Sequence, residues 1–391
     1  MKFRYPKYYE DFQCIAGQCE DTCCAGWEID IDDASYDYYM SVGSEFGSRL
    51  RRSIREYGED CEDAYEKHGF ILKENRRCPF LNDNNLCDLY LALGEGALCD
   101  VCTDTPRNYL EYGGARELSL SCSCGEAGRL LYADEAPLSF VEGETDGESE
   151  LEESEEELLL AEAVRYARDM AVTILQNRKL PLSKRVIHFL HYAEKVQECL
   201  NQNAVETVKK IDETLFFIDS TDVEEPCRQL SYRFFLSRLR TFTEMDSISQ
   251  EWEEILGLLQ KRYLTPPEGD LRYVREQQAL WQEIESRNRL YEYEHMLVYY
   301  SFLFLARCVD DYDYLAKAKM IVISFLMLRD MDCAWYAQKE SGFTKEDRVN
   351  LSRIYAKELE HSGENLAFLA DELLFEEAYT VENLCLSLTI A

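Results

Sequence analysis

Four cysteines fall within eleven residues near the N-terminus, as Cys14-x4-Cys19-x3-Cys23-Cys24, and Ala25-Gly26-Trp27 follows at once. So dense a run of thiols cannot consist of ordinary core side chains alone, and it limits what the segment can fold around. Neighbouring side chains diverge, so Cys23 and Cys24 are expected to serve different partners. A second set lies downstream: Cys78-Pro79-Phe80-Leu81, Cys87, Cys99-x2-Cys102 and Cys122-x-Cys124. The two sets predict a many-ligand thiolate cage. Its candidate metal ligands are Cys14, Cys19, Cys23, Cys24, Cys78, Cys87, Cys99, Cys102 and Cys122.

Whether such thiols pair with each other or with a metal depends on the compartment. The opening Met1-Lys2-Phe3-Arg4-Tyr5-Pro6 has no apolar h-region and no small-residue cleavage site, so no signal peptide is expected. The longest apolar stretch, Met296 to Ala306, is broken by Ser301 and is too short to span a bilayer. A cytoplasmic protein without membrane contact follows, and there metal binding is the default reading of many cysteines. Eleven of the sixteen lie at or before Cys124; Cys199, Cys227, Cys308, Cys333 and Cys385 are scattered singly and read as small core residues.

The metal itself is narrowed by ligand type and spacing. Only His68 precedes residue 134, which disfavours mixed Cys/His sites. Structural zinc usually sits between two short C-x2-C knuckles, and Cys99 with Cys102 is the single such pair. Iron–sulfur clusters accept thiolates drawn from separated segments, which favours one four-iron cluster, with zinc as the alternative. Either would add folding free energy to a segment with little apolar periodicity. A radical-type C-x3-C-x2-C loop is not present, because Cys24 follows Cys23 directly, and no G-x-G-x-x-G follows a strand.

Charge bears on partners. With 42 Lys and Arg against 76 Asp and Glu, the chain carries −34. A nucleic-acid surface needs clustered cations, so nucleic acid is excluded, and a basic protein partner suits the charge better.

The expected architecture is mainly α, in three parts. Residues 1–133 form a small, loop-rich, cysteine-rich metal-binding domain with short helices and little sheet. A helix is expected near Asp33 to Arg55, and a short strand at Glu117-Leu118-Ser119-Leu120-Ser121. Residues 134–157 hold twelve acids and no Lys or Arg, which predicts an extended linker. Residues 158–391 form an irregular α-helical domain. Its first helix starts at the capping pattern Ser154-x-x-Glu157 and breaks at Pro181; the next is capped by Ser183 and aligns Val186, Leu190, Ala193, Val196 and Leu200 on one face. Further helices are expected near 203–217, 225–244, 249–263, 270–290, 293–309, 314–330 and 344–360. The last starts at Thr344-x-x-Asp347 and closes at Ser362-Gly363.

The run Cys14-Ile15-Ala16-Gly17-Gln18-Cys19-Glu20-Asp21-Thr22-Cys23-Cys24-Ala25-Gly26-Trp27 resembles the opening motif of the flagellin lysine-N-methylase family. A second block, Arg77-Cys78-Pro79-Phe80-Leu81-Asn82 through Cys87, Leu93-Gly94-Glu95, Cys99, Cys102 and Pro106-Arg107, matches in order. Glu117 to Cys122 supplies a third. The likeness extends more loosely to iron- or zinc-chelating domains with a C-x3-C-x2-CC signature, from which the spacing departs. The resemblance covers about the first 130 residues. It implies methylation of flagellin lysines with S-adenosylmethionine as donor and a cysteine-bound iron–sulfur cluster. On that reading Trp27 would face a cationic sulfonium or ammonium and Arg107 a cofactor carboxylate. Trp27 also suits a packed core position, and Arg107 a structural salt bridge. Asp30, Asp32 and Asp33 could position an amine or simply start a helix. No general base can be named from the sequence. The alternative is a metal-binding module that docks a partner or transfers electrons without chemistry of its own.

Overall fold

The structure, a computed structural model, describes residues 1–19, 21–57, 66–145, 151–217, 228–265, 268–339 and 342–389. Glu20, Cys61, Cys227, Asp146, Glu148 and Glu150, which figure in the expectations above, lie outside them.

Seven strands are present among the described residues: β1 (Lys2–Pro6), β2 (Asp30–Ile31), β3 (Ile54–Glu56), β4 (His68–Phe70), β5 (Arg107–Tyr112), β6 (Ala115–Leu120) and β7 (Phe140–Glu144). They form a four-stranded sheet in the order β5-β6-β1-β7 and a three-stranded one in the order β2-β4-β3. The expectation of little sheet is corrected here. The alternating segment at 117–121 is indeed mostly strand, as β6. Its hairpin with β5 turns through Gly113 and Gly114, both at positive φ, the geometry a two-residue primed turn requires. Both turn amides donate to the Glu153 carboxylate, at 2.6 and 2.9 Å.

The segment expected to be a linker therefore has structure of its own. Residues 140–144 pair antiparallel with β1 over its whole length. The like charges of the segment do not prevent this, because Arg4 on β1 meets Glu142 at 3.1 Å and Asp169 at 2.6 Å.

The N-terminal helices are short: α1 (Asp33–Ser41), α2 (Glu45–Arg52), α3 (Asp88–Leu93), α4 (Asp100–Asp104) and α5 (Gly125–Leu131). The single helix expected over 33–55 breaks at Val42-Gly43, and Ser44 caps α2 by accepting from the Gly47 amide. Asp32 caps α1 by accepting from Ser35, which assigns it the helix-start role. Ile29, Ile31, Tyr39, Leu50, Phe70, Phe80, Leu81 and Leu89 make a small core here, shared with Cys78 and Cys99.

The larger part is helical: α6 (Glu155–Leu175), α7 (Leu182–Asn201), α8 (Arg228–Glu244), α9 (Gln250–Tyr263), α10 (Gly269–Ser286), α11 (Leu290–Phe304), α12 (Cys308–Asp311), α13 (Tyr314–Tyr336), α14 (Lys345–Glu360), α15 (Gly363–Phe375) and α16 (Val381–Leu388). Both expected capping boxes form, at Ser154/Glu157 and Thr344/Asp347. The expected apolar face of α7 is buried throughout, although Pro181 rather than Ser183 precedes the helix. Residues 203–217 make only two 3-10 turns, Val205–Lys210 and Glu213–Phe216; Asn203 takes a positive φ and Asp212 accepts from Thr214, so the chain turns instead of continuing. Ser362 does not close α14 but caps α15 by accepting from Asn365. The middle helix is α13, which packs against α7, α9, α10, α11, α14, α15 and α16 and is buried nearly all round. No described helix is long and apolar enough to cross a membrane. Cys308, Cys333 and Cys385 are buried in this core and Cys199 is half-buried.

Sheet and helices are joined by a buried ion pair. Arg168 on α6 grips both oxygens of Glu117 on β6, at 2.5 and 2.6 Å, and Tyr112 donates to the same carboxylate at 2.9 Å. Burial alone would raise the Glu117 pKa, but the guanidinium outweighs it and holds the carboxyl below its ordinary value. The pair's contribution is therefore complete above the unfolded carboxyl pKa and is lost as pH falls through the folded one. Arg168→Met should cost about 3–5 kcal/mol by stranding a buried carboxylate, whereas Arg168→Met with Glu117→Leu should recover most of that. Urea unfolding of the three proteins at neutral pH checks this; a double variant as unstable as the single one would contradict the account.

Candidate functional site

The thiols divide between two neighbourhoods. Cys24, Cys78, Cys87, Cys99 and Cys102 pack into or against the small core. Backbone contacts hold that group: the Cys78 amide donates to the Cys24 carbonyl at 2.8 Å, and the Cys102 amide to the Cys99 carbonyl at 3.0 Å. The Cys102 thiol lowers the pKa of Cys99 and has its own raised in return. Cys14, Cys19 and Cys23 form the second neighbourhood, and Cys124, outside the expected ligand set, stands electrostatically with them. Cys19 and Gly125 line one narrow cleft together with Asp21, Arg129 and Arg353. Cys23 and Cys24 remain in contact rather than diverging fully: the Cys23 thiol, ahead of Thr22 and Arg77, brings Cys24 down to about 7.

Cys122 goes elsewhere. It is buried in the helical core, and its amide donates to the Tyr299 hydroxyl at 3.0 Å. Burial pushes its thiol well up, with Glu360 and Cys124 adding to the effect. Among the described residues, no three Cys, His, Asp or Glu side chains stand close enough together to hold one metal ion. The first neighbourhood gathers five of the nine expected ligands, Cys24, Cys78, Cys87, Cys99 and Cys102. Arg107 opens β5, and its guanidinium lies over the Phe12 ring at 5.3 Å.

A polar junction forms where the cysteine-rich segments meet the end of α14. Gly26, at φ +107, lets the chain turn so that its amide reaches the Arg76 carbonyl, and Trp27 follows. The Trp27 indole stacks on the His361 imidazole with centroids 4.3 Å apart and planes within 19°. One turn back on α14, Lys357 lies 5.7 Å from the Trp27 ring and is ion-paired to Asp21. A further turn back, Arg353 reaches Asp21 at 2.5 Å and Glu251 at 2.6 Å. Spacings of four and three or four residues put Arg353, Lys357 and Glu360/His361 on one stripe of the helix.

Glu360 is the centre of the junction. It accepts from Ser121 Oγ at 2.6 Å and from Tyr299 OH at 2.8 Å. His361 Nε2 meets Ser123 Oγ at 2.8 Å, and the two serine hydroxyls are 2.7 Å apart. Burial pushes the Glu360 carboxyl up to about 7 against the two hydroxyl donors, which lower it. Burial, and then Lys357, bring His361 down to about 4, so its ring is neutral at physiological pH. The arrangement thus offers a carboxyl that exchanges its proton near neutrality beside a stacked pair of neutral rings able to face a cation.

Trp27 is the sequence-derived candidate that the structure brings to this place; Arg107 and Cys122 have the surroundings just described. Glu360, His361 and Tyr299 were not foreseen. They are single polar residues inside helical patterns, and only the Ser-x-Ser between Leu120 and Cys124 gave a local hint.

With fold and junction defined, relatives place the chain. A model of the FliB lysine N-methylase C-terminal domain matches residues 168–387, more than half of the chain. The chain belongs to the FliB lysine N-methylase family. It is similar to lysine-N-methylases of Salmonella choleraesuis (strain SC-B67) and Salmonella typhimurium, 26% identical over 150 residues in each case. Those alignments span 35% of this chain and 34% of either relative, about a third of their length. It is also 26% identical over 143 residues to the flagellar biosynthetic protein FliU of Salmonella muenchen, covering 35% of this chain and 80% of that one. No solved structure matches.

The raised Glu360 pKa has a stability consequence. The folded state binds the proton more tightly than the unfolded chain, whose glutamate titrates near 4.3, so stability falls as pH rises between about 4.5 and 7. Allowing for its partial exposure, the group should contribute about 2 kcal/mol of this decline. Glu360→Gln should flatten that part of the profile in denaturant titrations from about pH 5 to 8. Equal slopes in both proteins would show that Glu360 titrates normally.

Proposed function

We propose that this protein transfers methyl groups from S-adenosylmethionine to surface lysines of flagellin in the cytoplasm. The observation that carries the reading is the junction itself. It joins Trp27, from the motif resembling lysine N-methylases, to Glu360 and His361, which lie inside the span matched by the family's C-terminal domain. Neutral stacked rings and a carboxylate suit a cationic sulfonium or ammonium. The flagellar name of the FliU relative supports flagellin as substrate, and a chain carrying −34 suits a partner approached through its lysines.

An iron–sulfur cluster belongs to the same proposal, with Cys24, Cys78, Cys87, Cys99 and Cys102 as the thiols that would hold it. A cluster there would supply an iron able to bind the methionine part of the donor. The protein's own residues do the rest: they bind the amine, free it of its proton and align it with the sulfonium methyl, where positioning supplies much of the acceleration.

The test is the intact mass of the organism's own flagellin after incubation with anaerobically purified protein and S-adenosylmethionine. Mass should rise in whole methylene steps, and a variant with Cys78 and Cys99 replaced by alanine should lose both bound iron and activity. Flagellin captured without any gain in mass would replace the enzyme by a docking module. Reversible reduction of bound iron without methyl transfer would replace it by an electron carrier.

A further inference from the structure

A lysine ε-amine titrates near 10.4, so at neutral pH a methylase must first remove its proton. The described buried carboxylates are candidates, and their partners separate them. Glu117, Glu292, Glu294, Asp330 and Asp332 are each paired with arginine, and Asp347 with Lys339. Glu358 accepts from the backbone amides of Ile248 and Ser249. Glu360 differs: its oxygens are held by hydroxyls, with Tyr299 on Oε1 and Ser121 on Oε2. The nearest cation on its helix, Lys357, is engaged by Asp21. A carboxylate oxygen has two acceptor positions, so each oxygen can take one further donor. Glu360 is also partly exposed, whereas Ser121, Ser123 and Tyr299 behind it are buried.

We propose that Glu360 receives the proton of the substrate lysine, with the stacked Trp27–His361 pair lining the seat of the alkylammonium. The assignment rests on the methylase reading above. In this step one ammonium N–H bond breaks and the proton passes to a Glu360 oxygen. The freed nitrogen pair then attacks the sulfonium methyl carbon. The C–N bond forms as the C–S bond breaks, with its electron pair left on sulfur. The methylated amine carries the positive charge away, and Glu360 returns its proton to water.

The groups facing Glu360 from the surrounding elements are Tyr8, Cys122, Tyr299 and Tyr300, with Tyr355 and His361 from its own chain segment. Burial raises the tyrosines and Cys122 and lowers His361, so all of them are neutral at pH 7. Glu360 is then the group of this set that titrates near neutrality.

The experiment is single-turnover methyl transfer to flagellin by wild type, Glu360→Gln and Tyr299→Phe, followed from about pH 6 to 10. Glu360→Gln should slow transfer roughly 100-fold at neutral pH with little change in KM. The loss should shrink as pH approaches the amine's own pKa, a rescue that structural damage would not show. Tyr299→Phe removes one donor to the carboxylate and should move the acid limb of the wild-type profile to higher pH. Circular dichroism and thermal melts establish that each variant is folded; if Glu360→Gln is not, the limb shift in Tyr299→Phe decides. Wild-type transfer that the folded Glu360→Gln variant matches at every pH, or an unmoved limb in Tyr299→Phe, overturns the assignment and leaves the methylase standing. Absence of transfer by metal-loaded wild type overturns both.

Discussion

Burial of the Arg348 guanidinium inside the helical core anchors the helix on which the junction depends. Removing an arginine from water costs several kcal/mol, and the cost is offset only by good pairing. Arg348 has that pairing: Asp332 on α13 and Glu292 on α11 accept from it, and its guanidinium lies 4.0 Å from the Tyr293 ring centroid. Arg289 completes the network by binding Glu292 at 2.7 Å. Three helices are thereby fixed in relative position near the start of α14. The last turns of the same helix carry Arg353, Lys357, Glu360 and His361 out to the cysteine-rich segments.

The other side of α14 is held by close packing. Gly128 on α5 approaches Val349 so nearly that an added Cβ would lie 3.3 Å from its Cγ1, and Tyr132 and Ser352 share a hydrogen bond of 2.9 Å. Since α5 follows Cys122 and Cys124 directly, this contact also sets where Ser121 and Ser123 stand relative to Glu360. The electrostatics of the junction follow. Asp21 takes up both nearby cations, which leaves Glu360 among hydroxyls, where burial raises its pKa without an opposing charge.

Local signals were read from the sequence with success where they were short-ranged. The boxes at Ser154/Glu157 and Thr344/Asp347 each satisfy amides three residues away, and both form. The α7 face and most of the strand at 117–121 follow from periodicity. The linker reading failed because it depended on a partner distant in the chain: residues 140–144 look like a charged linker until β1 pairs with them. The candidate site shows the same limit more sharply. Trp27 could be singled out because it sits in the cysteine motif, whereas Glu360 bonds to Ser121 across 239 residues. Its burial, and hence its altered proton affinity, has no local signature.

What the sequence determined by itself was chemical inventory and local conformation: a thiol-rich N-terminal segment, a strong negative charge, helices that start at capping residues, and motifs resembling lysine N-methylases. These depend on residue type and on neighbours a few positions away. Tertiary structure decided how the inventory is distributed. It separated Cys122 from the small core that holds Cys24, Cys78, Cys87, Cys99 and Cys102, and it brought Cys124 beside Cys14, Cys19 and Cys23. It also turned an ordinary glutamate at a helix end into one with a pKa of about 7. The physical reason is that desolvation and hydrogen bonding act through space, so a side chain acquires its chemistry from whatever the fold sets against it.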